Sequence, residues 1–401
     1  MVFLGGWVEF NGRMVFNEKG FIGLISFWLL AVTGLAAGPT AHDLAKAGLT
    51  ALEKGDWDKA AGCFDQGITL LPKDPWCYAG RGIVEHRNWD LANALADYNQ
   101  CIALGGNLPE WYVIRGDIKR DMDDMEGAMA DYNKALEINP KIIQACWGIA
   151  AVKRKEGDLG GAVAELTQGI AQDSRNAKSF AKRGDVKREE DDLTGALADY
   201  NHSIFLDPNY AEAYAERGAA ERAMGNIAGA MEDFKQAIAL DPKLAYPYKA
   251  RATTEAVNER WKDALGDYQK SCELAPTYQD YCRLYIYLIK ARLGEAGEAG
   301  KELADYFKKR KVVRPGDWTG TIGGYLLGSV SESELFACAS GANAWKLKGE
   351  TCEAWYYAGM KRLLGGDKKG AAEYFRNCVA TKMDDYVEFE LAHAELKALG
   401  G

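Results

Sequence analysis

Residues 177–210 read AKSFAKRGDVKREEDDLTGALADYNHSIFLDPNY, and residues 211–244, which follow directly, read AEAYAERGAAERAMGNIAGAMEDFKQAIALDPKL. The two strings align without a gap over 34 positions. Both carry Arg-Gly at positions 7 and 8, arginine at 12, alanine at 20, aspartate at 23, an aromatic at 24 and proline at 32. Extended outward, the same ruler covers seven units from Ala41 to Tyr278. Position 20 is alanine in every one: Ala60, Ala94, Ala128, Ala162, Ala196, Ala230 and Ala264. Position 24 is Phe64, Tyr98, Tyr132, Leu166, Tyr200, Phe234 and Tyr268, and position 8 is Gly48, Gly82, Gly116, Ala150, Gly184, Gly218 and Ala252. Five of the ten prolines stand at position 32 (Pro72, Pro140, Pro208, Pro242, Pro276), with Gly106 and Ser174 in the two remaining units.

These columns describe a helix hairpin. Positions 4, 7, 8 and 11 share one face of a first helix, and 20, 24 and 27 share one face of a second. Small residues at 8 and 20 let the two helices approach, the large residue at 24 fills the space between hairpins, and proline at 32 ends the second helix. A hairpin of this kind leaves an apolar face bare until another stacks on it. The pattern resembles the tetratricopeptide repeat. The resemblance implies an all-α fold, a right-handed α/α superhelix or solenoid of stacked antiparallel helix hairpins, and a concave groove that binds other proteins.

Beyond Tyr278 the ruler weakens. Residues 279–311 read as a degenerate eighth hairpin, and 312–349 as an irregular insert with one short helix, opened by a capping box from Ser331 and Glu334. The period returns in a unit that starts at Cys352, with Trp355, Gly359, Ala371, Phe375 and Cys378 at positions 4, 8, 20, 24 and 27, and a last helix, Tyr386 to Leu399, caps the end. The stretch from Asp317 to Leu396, including DWTGTIGGYLLGSVSESEL and CEAWYYAGMKRLLGGDKKGAAEYFRNCVATKMDDYVEFELAHAEL, resembles the end of NlpI-type tetratricopeptide lipoproteins of Gram-negative bacteria. That likeness implies an envelope scaffold without catalysis of its own, docking a protease or peptidoglycan hydrolases. The chain differs from that type in having more repeats and no lipidation cysteine directly after its apolar segment.

That segment, Phe21 to Ala37, is an uncharged run after Lys19 that ends in Leu35-Ala36-Ala37. It is short for a bilayer span of about 30 Å and reads as a secretory signal within residues 1–37, with Met14 as the better start; the alternative is an inner-membrane anchor at residues 21–37 with repeats facing the cytoplasm. The expected location is therefore periplasmic or envelope-associated. In a chain of 401 residues, 58 acidic against 49 basic side chains give a net charge of −9, which disfavours a general nucleic-acid binder. Four histidines and no CxxC pair among nine cysteines leave little for a metal centre or for acid–base catalysis, so no cofactor, metal or catalytic residue is expected.

Charged columns carry the rest. Arg81, Arg115, Arg183, Arg217 and Arg251 at position 7 recur with Asp97, Asp131, Asp199, Asp233 and Asp267 at position 23, whereas Ile149 comes with Glu165, so each pair reads as a structural bridge inside one hairpin. Position 12 holds Arg120, Arg154, Arg188 and Arg222, after His86 one unit earlier. This ladder, with Trp147 and Tyr246 beside it, is the expected partner-binding groove, suited to an extended acidic segment. Asp117 and Asp185 stand three residues before Arg120 and Arg188, and Ala151 and Ala219 leave Arg154 and Arg222 as the sharper candidates. Asparagines for a carboxylate clamp are absent at position 9. Glu390 with His393 falls short of a metal site, Lys308 to Lys311 with Arg314 reads as a solvated helix end, and Cys352 with Cys378 is the cysteine pair to test first.

Overall fold

The repeat begins each first helix at position 1 and each second helix at position 17. The computed structural model describes residues 8–10, 13–15, 40–105, 107–275, 279–310, 317–339, 344–383 and 386–400, and divides into two compact units at Pro208/Asn209. In the first unit a short antiparallel ribbon, β1 (Val8–Phe10) with β2 (Arg13–Val15), precedes five hairpins. The hairpins are α1 (Ala41–Glu53) with α2 (Trp57–Leu70), α3 (Pro75–Arg87) with α4 (Leu91–Ala103), α5 (Pro109–Asp121) with α6 (Met125–Ile138), α7 (Ile143–Lys155) with α8 (Leu159–Gln172), and α9 (Ala177–Glu189) with α10 (Leu193–Leu206). The apolar run from Phe21 to Ala37 lies outside the described residues, as do Gly106 and Pro276.

The second unit continues with α11 (Ala211–Ala223) and α12 (Ile227–Leu240), α13 (Ala245–Val257) and α14 (Trp261–Leu274), then α15 (Asp280–Arg292) and α16 (Ala296–Lys309). The insert holds two helices rather than one, α17 (Trp318–Leu327) and α18 (Glu332–Cys338), and the capping box of Ser331 and Glu334 opens the second. The last hairpin is longer than its repeat: α19 (Ala344–Leu364) starts eight residues before Cys352 and pairs with α20 (Lys368–Ala380), after which α21 (Val387–Ala398) closes the chain.

Most second helices start where they do because position 16 is an aspartate whose carboxylate accepts the backbone N–H three residues on; in the seventh repeat the place is taken by Arg260, which makes no side-chain cap. Asp56, Asp90, Asp124, Asp158, Asp192 and Asp367 all do this, and Asn226 does it through its amide oxygen. Each such cap is worth about 1 kcal/mol. The preceding residue takes φ > 0 to turn the chain, at Gly55, Gly157 and Gly225 without strain and at Trp89, Asp123, Asp191 and Glu259 with some.

Rings at position 24 weld the hairpins together. A β-carbon built on Gly116 would lie 2.7 Å from the Tyr132 ring and one on Gly148, in the next repeat, 2.4 Å from it, so the ring is clamped between two repeats by backbone alone. Phe64 is held in the same way by Gly48 and Gly80. Three tyrosine hydroxyls in this column meet position 9, Tyr132 donating to Asp117 (2.8 Å), Tyr200 to Asp185 (2.9 Å) and Tyr268 sharing a bond with Thr253 (2.9 Å), whereas Tyr98, with Ile83 at position 9, donates to the Ala79 carbonyl (3.4 Å). Where position 24 is Phe64, Leu166 or Phe234, position 9 is apolar: Leu49, Ala151 or Ala219. First helices of successive hairpins touch within each unit, α5 with α7, α7 with α9 and α11 with α13, and so line the inner face of the stack.

Candidate protein-binding face

Every expected position 7 to 23 pair is present, and each is a two-pronged bond. Nε and Nη2 of Arg81, Arg115, Arg183, Arg217 and Arg251 donate to the two oxygens of Asp97, Asp131, Asp199, Asp233 and Asp267 over 2.5–2.9 Å. In the fourth repeat Lys153 reaches Glu165 at 2.8 Å. The third prong ties a repeat to the one before it, through Asp65 to Arg81, Asn99 to Arg115 and Thr167 to Arg183. These arginines tie the frame together.

Position 11 divides the repeats. Lys119 and Lys187 add a second cation to Asp131 and Asp199, each at 2.8 Å. Glu85, Glu221 and Glu255 occupy the same place beside Asp97, Asp233 and Asp267. Burial and then the neighbouring aspartate push the carboxyls of Glu85 and Glu255 up to about 7. Glu221 is raised by the same causes.

The position 12 ladder is less uniform than its spacing suggests. Arg120 is buried, not open to a groove: it donates to Asp117 (2.7 Å) and to the Tyr132 hydroxyl (3.3 Å), and lies beside Asp121, which itself meets His86 at 3.0 Å. Arg154 and Arg222 do find carboxylates, from elements that the repeat register does not bring to mind. Arg154 pairs with Glu189 of the following repeat at 3.2 Å, and Arg222 with Glu390 of α21. Arg188 is half-buried on α9, and Tyr246 half-buried on α13.

Trp147 is core rather than surface, 2 % exposed, with its indole N–H donated to the Ser179 hydroxyl at 3.0 Å. Lys178 and Lys182 lie over the ring, their ammonium nitrogens 5.5 and 5.7 Å from the centroid. A small cleft lined by Trp147, Arg154, Lys182 and Asp185 opens over the ring between α7 and α9. The structure thus brings Trp147, Arg154 and Arg188 onto the two adjacent first helices α7 and α9 of one unit, and Arg222 and Tyr246 onto the first helices of the other. Lys182 is a functional candidate that the repeat columns do not single out, although its place six residues before Arg188 on α9 is readable in the sequence.

In the second unit the inner side is occupied. Instead of merely capping the end, α21 packs on α19 and α20 and also touches α13, and it presents three acids inward. Glu388 accepts from Tyr285 (2.5 Å) and Tyr357 (3.1 Å), Glu390 meets Arg222, and Glu395 pairs with Arg292 at 2.7 Å. Nearby Glu353, also buried, accepts from Tyr281 and from the Trp318 indole. Burial raises the carboxyls of Glu353, Glu388 and Glu395. His393 lies against the Phe389 ring. Cys352 and Cys378 are thiols with sulfurs 3.3 Å apart. Lys309 is exposed and pairs with Asp305, and Lys311 and Arg314 lie outside the described residues. Among the described residues no cluster of three or more His, Cys, Asp or Glu is placed to hold a metal ion, and no helix is long and apolar enough to cross a membrane.

Two stretches match family models of the tetratricopeptide repeat, residues 110–142 and 211–244. A solved tetratricopeptide repeat protein from Parabacteroides merdae aligns at 18% identity over 63% of this chain and 99% of its own, with a TM-score of 0.51. The type IV pilus biogenesis factor PilW aligns at 18% identity over 51% of this chain and 96% of its own, with a TM-score of 0.45, and PilF of Pseudomonas aeruginosa at 20% over 50% and 93%, with a TM-score of 0.43. The chain therefore carries tetratricopeptide repeats, a frame that generally mediates protein–protein interaction.

Proposed function

We propose that the chain is a non-catalytic scaffold of the bacterial cell envelope that binds another protein along the inner face of its first unit. The observation that carries this reading is the grouping on α7 and α9 of Arg154, Lys178 and Lys182 about the Trp147 indole, with Arg188 further along α9, in a chain of net charge −9. Guanidinium and ammonium groups set along adjacent helices suit the carboxylates of an extended acidic segment, and an apolar floor beneath them adds contact area. An envelope location is supported by the apolar run from Phe21 to Ala37 with its small terminal residues, and by the likeness of the C-terminal third to NlpI-type lipoproteins, which also makes an envelope protease or peptidoglycan hydrolase the partner class to seek first.

The test is retention of partners from envelope extract by the whole chain and by the double variant Arg154→Ala, Arg188→Ala, at low and high salt, with circular dichroism as the control for folding. Loss of a salt-sensitive partner from the folded variant is expected; unchanged retention would overturn this placement. Sequencing the N-terminus of native protein tests export, which fails if Met1 or Met14 is still present.

A further inference from the structure

A helix that only closed the end of a repeat stack would touch the last hairpin. α21 reaches further, because the side chains it meets come from three successive first helices: Arg222 on α11, Ala256 on α13, and Tyr285 and Arg292 on α15. Its inward stripe places Glu388, Leu391, Ala392 and Glu395 at i, i+3, i+4 and i+7, with Glu390 on the flank facing Arg222. Leu391 and Ala392 are buried between its polar points. Under Leu391 and Glu395 a cleft remains, lined among others by Trp261, Tyr268, Leu288, Tyr356 and Met360. Two of its three acids are nearly excluded from water, a costly place for carboxylates unless the surface beneath is built to receive acids. Tyr285 and Arg292 on α15, Tyr357 on α19 and Arg222 on α11 supply that reception.

We infer that the inner face of the second unit is a docking groove for an acidic amphipathic helix of a partner protein, and that α21 is its resident occupant, exchanged when the partner binds. The partner helix that fits has glutamates flanking a leucine–alanine step, as in Glu388, Glu390, Leu391, Ala392 and Glu395. This inference rests on the scaffold reading but adds a second surface with its own ligand chemistry. Since the resident is tethered, its effective concentration is in the millimolar range, so a competitor in trans binds weakly until the resident is loosened.

The test uses a fluorescent peptide of residues 386–399 and the full chain. Polarisation should show weak binding to the unaltered protein and at least about tenfold tighter binding to Glu390→Lys, in which Arg222 repels the resident while the groove is intact. Arg222→Glu should bind the peptide poorly, and a peptide carrying lysine at the position of Glu390 should restore binding to that variant. If folded Glu390→Lys binds no peptide, or binds a scrambled peptide as well, α21 is a fixed cap and the inference is overturned. Partner retention by the α7–α9 surface is measured separately with α21 unaltered, so failure here leaves that reading standing, and loss of that retention leaves the peptide result readable.

Discussion

The five hairpins before Pro208 and the elements after Asn209 share one repeat yet close their cores differently. In the first unit the buried residues fall into separate clusters, each centred on one position 24 residue and shared by neighbouring hairpins, such as the one around Tyr132 and the one around Tyr98. In the second, a small cluster around Phe234 persists, but most of the core is one cluster that runs from Ala252 to Ala392 and takes in the insert helices and α21. Local interfaces make a chain of weakly coupled parts, whereas a core that joins distant segments makes one cooperative part.

The largest expected effects test that difference directly. Tyr200→Ala removes a fully buried ring and its bond to Asp185, and should cost about 3 to 5 kcal/mol, read in urea as early, local loss that broadens the transition. Tyr268→Ala removes a ring stacked on Tyr285 (5.1 Å between centroids) and should cost a similar amount, but shift the transition of the whole second unit. Identical transition shapes for the two variants would break the comparison.

Next come the bridging arginines. Arg251→Ala strands Asp267 next to Glu255 and should cost about 3 kcal/mol, whereas Arg183→Ala leaves Asp199 paired with Lys187 and should cost about half as much. Equal losses in chemical denaturation would mean that position 11 contributes nothing to the bridge. A smaller effect is expected at the partly exposed Arg222–Glu390 pair: Glu390→Ala should cost about 1 kcal/mol or less, but raise amide hydrogen exchange in α21 selectively. Unchanged exchange there would argue that apolar packing alone holds α21.

The smallest effect is in pH dependence. The Glu255 carboxyl, raised from 4.5 to about 7 by burial and then by Asp267, is protonated in the fold and ionised in the unfolded chain through that interval. It therefore favours the folded state at acid pH, and its contribution is lost as pH rises toward and through 7. Glu255→Gln should flatten the fall in stability between about pH 5 and about pH 8, and a retained slope would assign it to other groups.

Helix boundaries, hairpin pairing, the buried rings and the position 7 to 23 bridges were legible in the sequence, because each joins residues a fixed distance apart within 34 positions and is written several times over. Repetition lets covariation stand in for geometry: Ile149 comes with Glu165 where the others have arginine and aspartate. The caps at position 16 and the link between positions 9 and 24 were equally readable. What only the tertiary structure decided are the contacts outside that register. Arg154 meets Glu189 through the crossing of neighbouring first helices, His86 meets Asp121 of the following repeat, and Glu390 crosses to Arg222 over 168 residues of chain. Each of those contacts occurs once. A single pairing leaves no period to read, and its partner is set by how far the insert and the last hairpin carry α21 across the stack.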